Sequence, residues 1–273
     1  MNSIDTAKSL CDTECNPIVD LSHLTWTINN KLPNIGGSYI KASENKDDKL
    51  YYYKMSRYMP YHGIIGHESI NEIICMNIAN SLGLSCARYE IIDAYINIKN
   101  KHTLLVRCPD FKPCNTSKIS LENYYEICKL NNETTFEFMK RMGYEDFCYR
   151  LFIFDYLIFN RDRHGANIEI IYENGKYTLA PLFDNGLSFM CSCITPEEFK
   201  AYDKLKTGPV NNYIGSRDTL ENLKLVPKSI IDVLDKPDNI FQGLEPYFHY
   251  MPQEFWDNIQ EMFDRRWELV KSL

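Results

Sequence analysis

Asn160-Arg161-Asp162-Arg163-His164-Gly165-Ala166-Asn167, followed by Pro181-Leu182-Phe183-Asp184-Asn185-Gly186, is the part of this sequence that decides its fold. The first stretch is polar and follows an apolar run; the second carries the acidic Asp184 after Leu182-Phe183. Residues 145–159, just upstream, are apolar nearly all round, the pattern of a helix buried at the centre of a lobe. Between the two stretches, 168–172 and 176–179 read as a small hairpin turned at Glu173-Asn174-Gly175. A buried helix thus delivers one polar loop, and a hairpin returns the chain to a second, acidic one.

Working outward, 273 residues with 44% apolar and 13% aromatic content are enough to bury a substantial core in one large domain or two packed lobes. The net charge of −7 and the pI near 5.5 argue against direct nucleic-acid binding, which draws on a basic surface. A local basic patch at Arg161, Arg163 and His164 still suits a small anion. Residues 1–16 lack the basic-then-apolar pattern of a secretory signal, and 151–159 is too short to span a bilayer and contains Asp155. The expectation is a soluble, cytoplasmic protein with no membrane partner. Ten cysteines include no paired CxxC knuckles; Cys11 with Cys15 and Cys191 with Cys193 are isolated pairs. They read as reduced thiols, with structural zinc as the alternative.

Periodicity orders the rest. Residues 39–42 and 51–55 are β-prone runs separated by the polar 43–49, a hairpin pattern entered through Gly36 and Gly37. Over 68–82, Ile70, Ile73, Ile74, Ile78 and Leu82 recur at helical spacing, and Gly83 stands where the helix should stop. Strands are expected at 89–98 and 103–107, and a boundary near 108–112, where Pro109 and Pro113 break the pattern. Helices are expected at 121–130, 135–142, 145–159 and 252–269. The fold class is α+β: a small β-rich lobe with one helix, then a larger, mainly helical lobe.

Phosphoryl transfer needs a carboxylate near the acceptor hydroxyl and oxygen ligands for the metal that neutralises the phosphates. Asp162, Asn167 and Asp184 supply these groups in that order. The five-residue step from Asp162 to Asn167 equals the Asp-to-Asn spacing of the protein-kinase catalytic loop, and Asp184 falls where that fold's metal-binding Asp lies. On this reading Asn167 and Asp184 hold Mg²⁺ and Asp162 orients the hydroxyl. The plainer alternatives are an Asp bracing its loop through Arg163, a turn residue at Asn167 and an Asx-turn at Asp184. His164 is read as holding the loop by hydrogen bonds, since Asp162 already fills the role of base. Arg163 either steadies a phosphate or pairs with an acidic loop residue.

These two stretches resemble the carboxy-terminal kinase domain of the HipA family, toxin-type serine/threonine kinases of bacteria. That family carries N-x-D-R-H-x-x-N followed by A-P-x-[FY]-D-N-G, matched here by 160–167 and 180–186. The resemblance spans roughly 34–269. It implies a two-lobed protein-kinase-like fold that uses ATP and Mg²⁺ to phosphorylate a protein, with Asn160, Arg163 and His164 supporting the loop. Residues 1–33 would be an extension, 34–110 the small lobe and 111–273 the large one. Upstream, Gly36-Gly37-Ser38-Tyr39-Ile40-Lys41 looks like the family's phosphate-covering loop, and Tyr53-Lys54-Met55 like the strand bearing the ATP lysine. Glu72 is similar to the acidic residue of the small-lobe helix. Lys41 competes with Lys54 and Glu68 with Glu72.

The same resemblance makes Ser38 a self-phosphorylation candidate, against the plainer reading of a turn serine. Too few residues precede Gly36 for the separate amino-terminal subdomain of full-length HipA proteins, so substrate control is expected to differ or to come from another polypeptide. An antitoxin or other regulatory protein is a conceivable partner. Phosphoinositide kinases also use D-R-H-x-x-N, so a lipid kinase is the enzymatic rival, disfavoured by the acidic charge and by the lack of a polybasic or apolar membrane-binding stretch. A catalytically silent pseudokinase or binding module, and a nucleotidyl transferase, complete the alternatives.

Overall fold

The computed structural model describes residues 17–27, 39–59, 63–98, 101–113 and 116–273. Gly36, Gly37 and Ser38, singled out above, lie outside them. In chain order, β1 (Val19–Asp20) precedes the hairpin β2 (Lys41–Lys46) and β3 (Lys49–Met55), whose register runs from Lys41↔Lys54 to Lys46↔Lys49. Its turn is Asp47-Asp48 at φ 51° and 58°, the left-handed pair that matches the twist of the flanking strands. A short ribbon, β4 (Tyr58–Met59) with β5 (Gly63–Ile64), leads into helix α1 (Glu68–Ser81). β6 (Glu90–Ile96) and β7 (Lys101–Pro109) pair antiparallel, β7 also pairs with β3, and β1 lies parallel to β6. The sheet order is therefore β1-β6-β7-β3-β2.

One core sits on this sheet, with Trp26, Tyr53, Met55, Ile92 and Leu105 among its members. α1 packs against β3, β6 and β7 and belongs to a second, larger core that runs into the helical half. The spacing of Ile70, Ile73, Ile74 and Ile78 predicts an amphipathic α1, but its first half is buried all round, including Glu68, Ser69, Asn71 and Glu72. Buried polar groups need partners: Asn71 and Glu72 find them in the loop around Asp184, Glu68 at Arg57 and Tyr39, and Ser69 at Ser56. The helix closes at Gly83, φ 73°, a conformation that penalises any residue with a Cβ.

β8 (Ser117–Ser120) precedes α2 (Leu121–Cys128), α3 (Thr135–Arg141) and α4 (Glu145–Ile158). Local chemistry fixes the starts of the first two. Ser120 accepts the Asn123 N–H, and Thr134 with Glu137 forms a reciprocal capping box. α4 is buried from Leu151 to Ile158. Each large apolar side chain so enclosed contributes about 1.5–3 kcal/mol, which makes α4 the mechanical base of the loop that follows it.

The helix ends at Phe159, φ 48°, and the chain continues through β9 (Asp162–Arg163), β10 (Glu169–Glu173) and β11 (Lys176–Leu179). The expected hairpin is present, turned at Asn174-Gly175, and β8 adds a third strand to it. Beyond it come α5 (Pro196–Ala201), β12 (Asn211–Asn212), α6 (Thr219–Leu223), α7 (Lys228–Asp232) and α8 (Gln253–Ser272). β12 pairs parallel with β9, and α4 packs against α6 and α8. The seven cysteines among the described residues are free thiols, and no cluster of three or more His, Cys, Asp or Glu side chains able to hold a metal occurs there. No helix among the described residues is long and apolar enough to cross a membrane.

Candidate active site

The loop after α4 is built around a buried ion pair. Arg163, fully buried on β9, donates to both carboxylate oxygens of Asp155, the nearest approach being 2.9 Å. Burial alone would lower the Arg163 pKa, but the Asp155 charge more than offsets it and holds the guanidinium protonated. The same guanidinium donates to Asn185 Oδ1 at 2.7 Å, so a single side chain ties α4 to both polar loops. Of the two roles open to Arg163, pairing with a carboxylate is the one the structure displays, and the partner lies on the helix below. Asn160, also buried, donates to Asp155 Oδ1 at 3.1 Å and accepts the Asp162 N–H at 2.9 Å.

Asp162 itself is partly open, with a third of its side chain exposed. Asn167 donates its side-chain N–H to the Asp162 carbonyl at 2.8 Å. With the amide nitrogen committed there, the Asn167 oxygen is the atom left to meet a cation. His164 Nδ1 accepts the Ala166 N–H at 3.2 Å, bracing the short 3-10 turn that carries Asn167.

The second loop is clamped from the small lobe. Asp184 sits at φ 58°, and its N–H donates to the Tyr89 hydroxyl at 3.1 Å. The next N–H, that of Asn185, donates to Glu72 Oε2 at 2.9 Å. Asn71 donates to the carbonyls of Gly186 and Ser188 at 3.1 and 3.0 Å. Gly186 passes so close to α1 that a Cβ there would lie 3.0 Å from Glu68 Cβ and 3.1 Å from the Glu68 carbonyl oxygen. Glycine is what this approach requires.

Lys54, on β3, meets Glu72 Oε1 at 2.8 Å and also contacts Asp184 Oδ1. Burial pushes the Asp184 carboxyl up, but the ammonium of Lys54, with Lys41 behind it, overrides that and holds it at about 2. The carboxylate is therefore ionised at any pH near neutral. Lys41 lies directly opposite Lys54 in the β2–β3 register and faces the same cleft, but Glu72 and Asp184 are in contact with Lys54. Glu68 is engaged elsewhere: it accepts the Arg57 N–H at 2.9 Å and the Tyr39 hydroxyl at 3.4 Å.

Lys54, Lys41, Asn167 and Asp184 face a cleft of about 480 Å³ whose apolar wall includes Ala87, Val106, Cys108 and Phe183. Asp162 is not part of its lining; Asn167, bonded to the Asp162 carbonyl, is. A carboxylate held ionised and an amide with its oxygen uncommitted form an oxygen donor set, which suits a hard divalent cation such as Mg²⁺. The cleft has the size and the mixed lining of a small-molecule site. Sequence reading gave no site role to Tyr89 or Asn71. It registered Asp155 only as a charge that spoke against a membrane span.

The model of the HipA-like C-terminal domain matches residues 34–197, more than half of the chain and both polar loops. The chain belongs to the HipA-like C-terminal domain family. No curated protein matches this HipA-like chain in sequence. Among solved structures, it is similar to the proinflammatory kinase CtkA of Helicobacter pylori, with a TM-score of 0.61 and 17% identity over 94% of this chain and 98% of that one. It is also similar to a chain of the Shewanella oneidensis MR-1 toxin-antitoxin complex of HipA, HipB and operator DNA, with a TM-score of 0.52 and 12% identity over 100% of this chain and 71% of that one. At such identities the likeness concerns the fold: two-lobed and kinase-like, with a small β-rich lobe containing one helix and a larger, mainly helical lobe.

Proposed function

We propose that this HipA-like chain is an ATP-dependent serine/threonine protein kinase, with residues 34–110 as its small lobe, 111–273 as its large lobe and 1–33 as an extension. The observation that carries the reading is the pairing of Lys54 with both Glu72 and Asp184 at the head of the cleft that Asn167 also lines. A lysine oriented by a helix carboxylate, next to an ionised aspartate and an amide oxygen, is the charge arrangement that a nucleotide triphosphate needs.

In this reading Asn167 and Asp184 hold Mg²⁺, which supplies neutralisation of phosphate charge when bound. Lys54 holds the nucleotide phosphates, and Glu72 fixes the direction of its ammonium. The apolar wall takes the base and excludes water. Asp162 orients the acceptor hydroxyl and accepts its proton. Arg163, Asn160 and His164 keep the loop in shape. Gly36, Gly37 and Ser38 are assigned to phosphate covering, with Ser38 as a candidate for self-phosphorylation, on the family resemblance alone. The acceptor is a protein in the cytoplasm, and an antitoxin-like regulatory protein is a candidate partner.

The test is incubation of the purified chain and a protein extract with γ-labelled and, separately, α-labelled ATP. Label from the γ position alone is expected on protein. Asp162→Ala and Asp184→Ala should each reduce it by a factor on the order of a hundred or more, with the melting temperature of Asp162→Ala near wild type and that of Asp184→Ala lowered by the loss of its pairing with Lys54 but still that of a folded protein. Label from the α position would replace the kinase reading with nucleotidyl transfer. Loss of fold in both variants would return the two aspartates to a bracing role.

A further inference from the structure

The two carboxylate oxygens of Asp162 sit in unlike surroundings. Oδ1 accepts the side-chain N–H of Asn211 at 3.2 Å, whereas Oδ2 lies 3.8 Å from His164 Nε2, beyond hydrogen-bond reach. Asn211 is an exposed residue, yet its backbone is pinned. Its N–H donates to the Arg161 carbonyl at 3.0 Å and the Tyr213 N–H to the Arg163 carbonyl at 2.9 Å, in a parallel register of Asn211↔Asp162 and Asn212↔Arg163. Asn212 Oδ1 then accepts the N–H groups of Ile214 and Gly215 at 3.0 and 2.9 Å, which closes the turn behind β12. The Asn211 amide is thus delivered to Asp162 by strand pairing with the same two residues that form β9.

We propose that Asn211 is a positioning residue for phosphoryl transfer: its amide anchors Oδ1 of Asp162, fixes the rotation of the carboxylate and leaves Oδ2 as the atom that meets the acceptor hydroxyl. This rests on the kinase reading of the site. His164 fits the assignment. Because its Nδ1 accepts the Ala166 N–H, the proton of the neutral imidazole sits on Nε2, the nitrogen that faces Oδ2, so the ring cannot take up the hydroxyl proton. In the transfer step the acceptor oxygen forms a bond to the γ-phosphorus and the bridging bond to the β-phosphate breaks. The electron pair leaves with ADP, and the hydroxyl proton passes to Asp162 Oδ2. A carboxylate free to rotate would spend part of its time with the wrong geometry, and such misplacement is costly in rate.

The test compares wild type with Asn211→Ala, Asn211→Asp and Asn211→Gln, measuring kcat and KM for ATP with one protein acceptor and recording each melting temperature. Asparagine and aspartate are isosteres, so a purely structural role tolerates Asn211→Asp, whereas an anchoring role fails because the variant cannot donate and places a second negative charge beside Asp162. The expected result is a fall in kcat on the order of tenfold for Asn211→Ala and a larger one for Asn211→Asp. Asn211→Gln, which keeps a donor, recovers part of the rate. KM for ATP stays within about twofold of wild type and the melts are unchanged. The proposal is overturned if Asn211→Asp matches wild type in kcat, if only KM for ATP changes, or if every loss of rate follows a loss of stability. A wild type that transfers no phosphate overturns the kinase reading itself, whereas an active wild type with indifferent variants overturns this proposal alone.

Discussion

Lys54 is asked to do two things at once, since its ammonium meets both a helix carboxylate and the aspartate of the second loop. Asp184 contributes to stability through this pairing. Its carboxyl is depressed from 3.8 to about 2, so the contribution is fully present above the usual carboxylate range and is lost as the pH falls through about 2. Replacing Lys54 by Ala should therefore lower kcat/KM for ATP by at least about tenfold, roughly 1.4 kcal/mol. Lys41→Ala should cost less, and initial rates against ATP concentration separate the two. Full activity of Lys54→Ala together with a silent Lys41→Ala would reassign the lysine. The sequence could place both lysines on β-prone runs but could not choose between them, because the choice depends on which carboxylate of α1 turns toward the sheet. Glu68 and Glu72 are one helical turn apart, and only packing shows that Glu68 serves Arg57 and Tyr39. Asn211 was illegible for a related reason: no periodicity announces a two-residue strand that follows a long irregular segment.

At the scale of elements, α4 and α1 organise the two loops from opposite sides. α4 supplies Asp155, whose pairing with Arg163 holds the first loop and, through Asn185, the second. α1 supplies Asn71 and Glu72, which hold the second loop from the small-lobe side. Removing Asp155 leaves a buried guanidinium without its counter-charge, a change that costs about 3–5 kcal/mol. Asp155→Ala is thus expected to lower stability by that amount in chemical denaturation, together with activity, whereas Asp162→Ala lowers activity alone. An Asp155→Ala protein as stable as wild type would show that the buried pair does not support the loop. The apolar run 151–159 made α4 legible, whereas its single charge went unread as a sign of a buried partner, although an isolated carboxylate in such a helix has to be neutralised. For α1 the apolar spacing gave the helix and its stop at Gly83, but it hid the burial of the polar face. That burial depends on a loop more than a hundred residues away in sequence, in contact with Asn71.

Across the whole molecule, the larger core joins α1 to the helical half, while the smaller core lies on the sheet. The order of a β-rich half and then a helical half was readable from period and breakers. The strand β8 and the short elements β12, α5, α6 and α7 were not, because each is stabilised by neighbours distant in sequence more than by its own pattern. The proposed function divides two tasks between the cleft and its neighbour: binding the metal-nucleotide complex is assigned to Asp184, Asn167 and Lys54, which line the cleft, and directing the acceptor to Asp162 beside it. Calorimetric titration of wild type, Asp162→Ala and Asp184→Ala with ATP in the presence of Mg²⁺ tests this division directly. The account predicts that Asp162→Ala binds within about threefold of wild type while Asp184→Ala binds at least about tenfold more weakly, a difference of roughly 1.4 kcal/mol. Binding by Asp184→Ala as tight as that of wild type would contradict it.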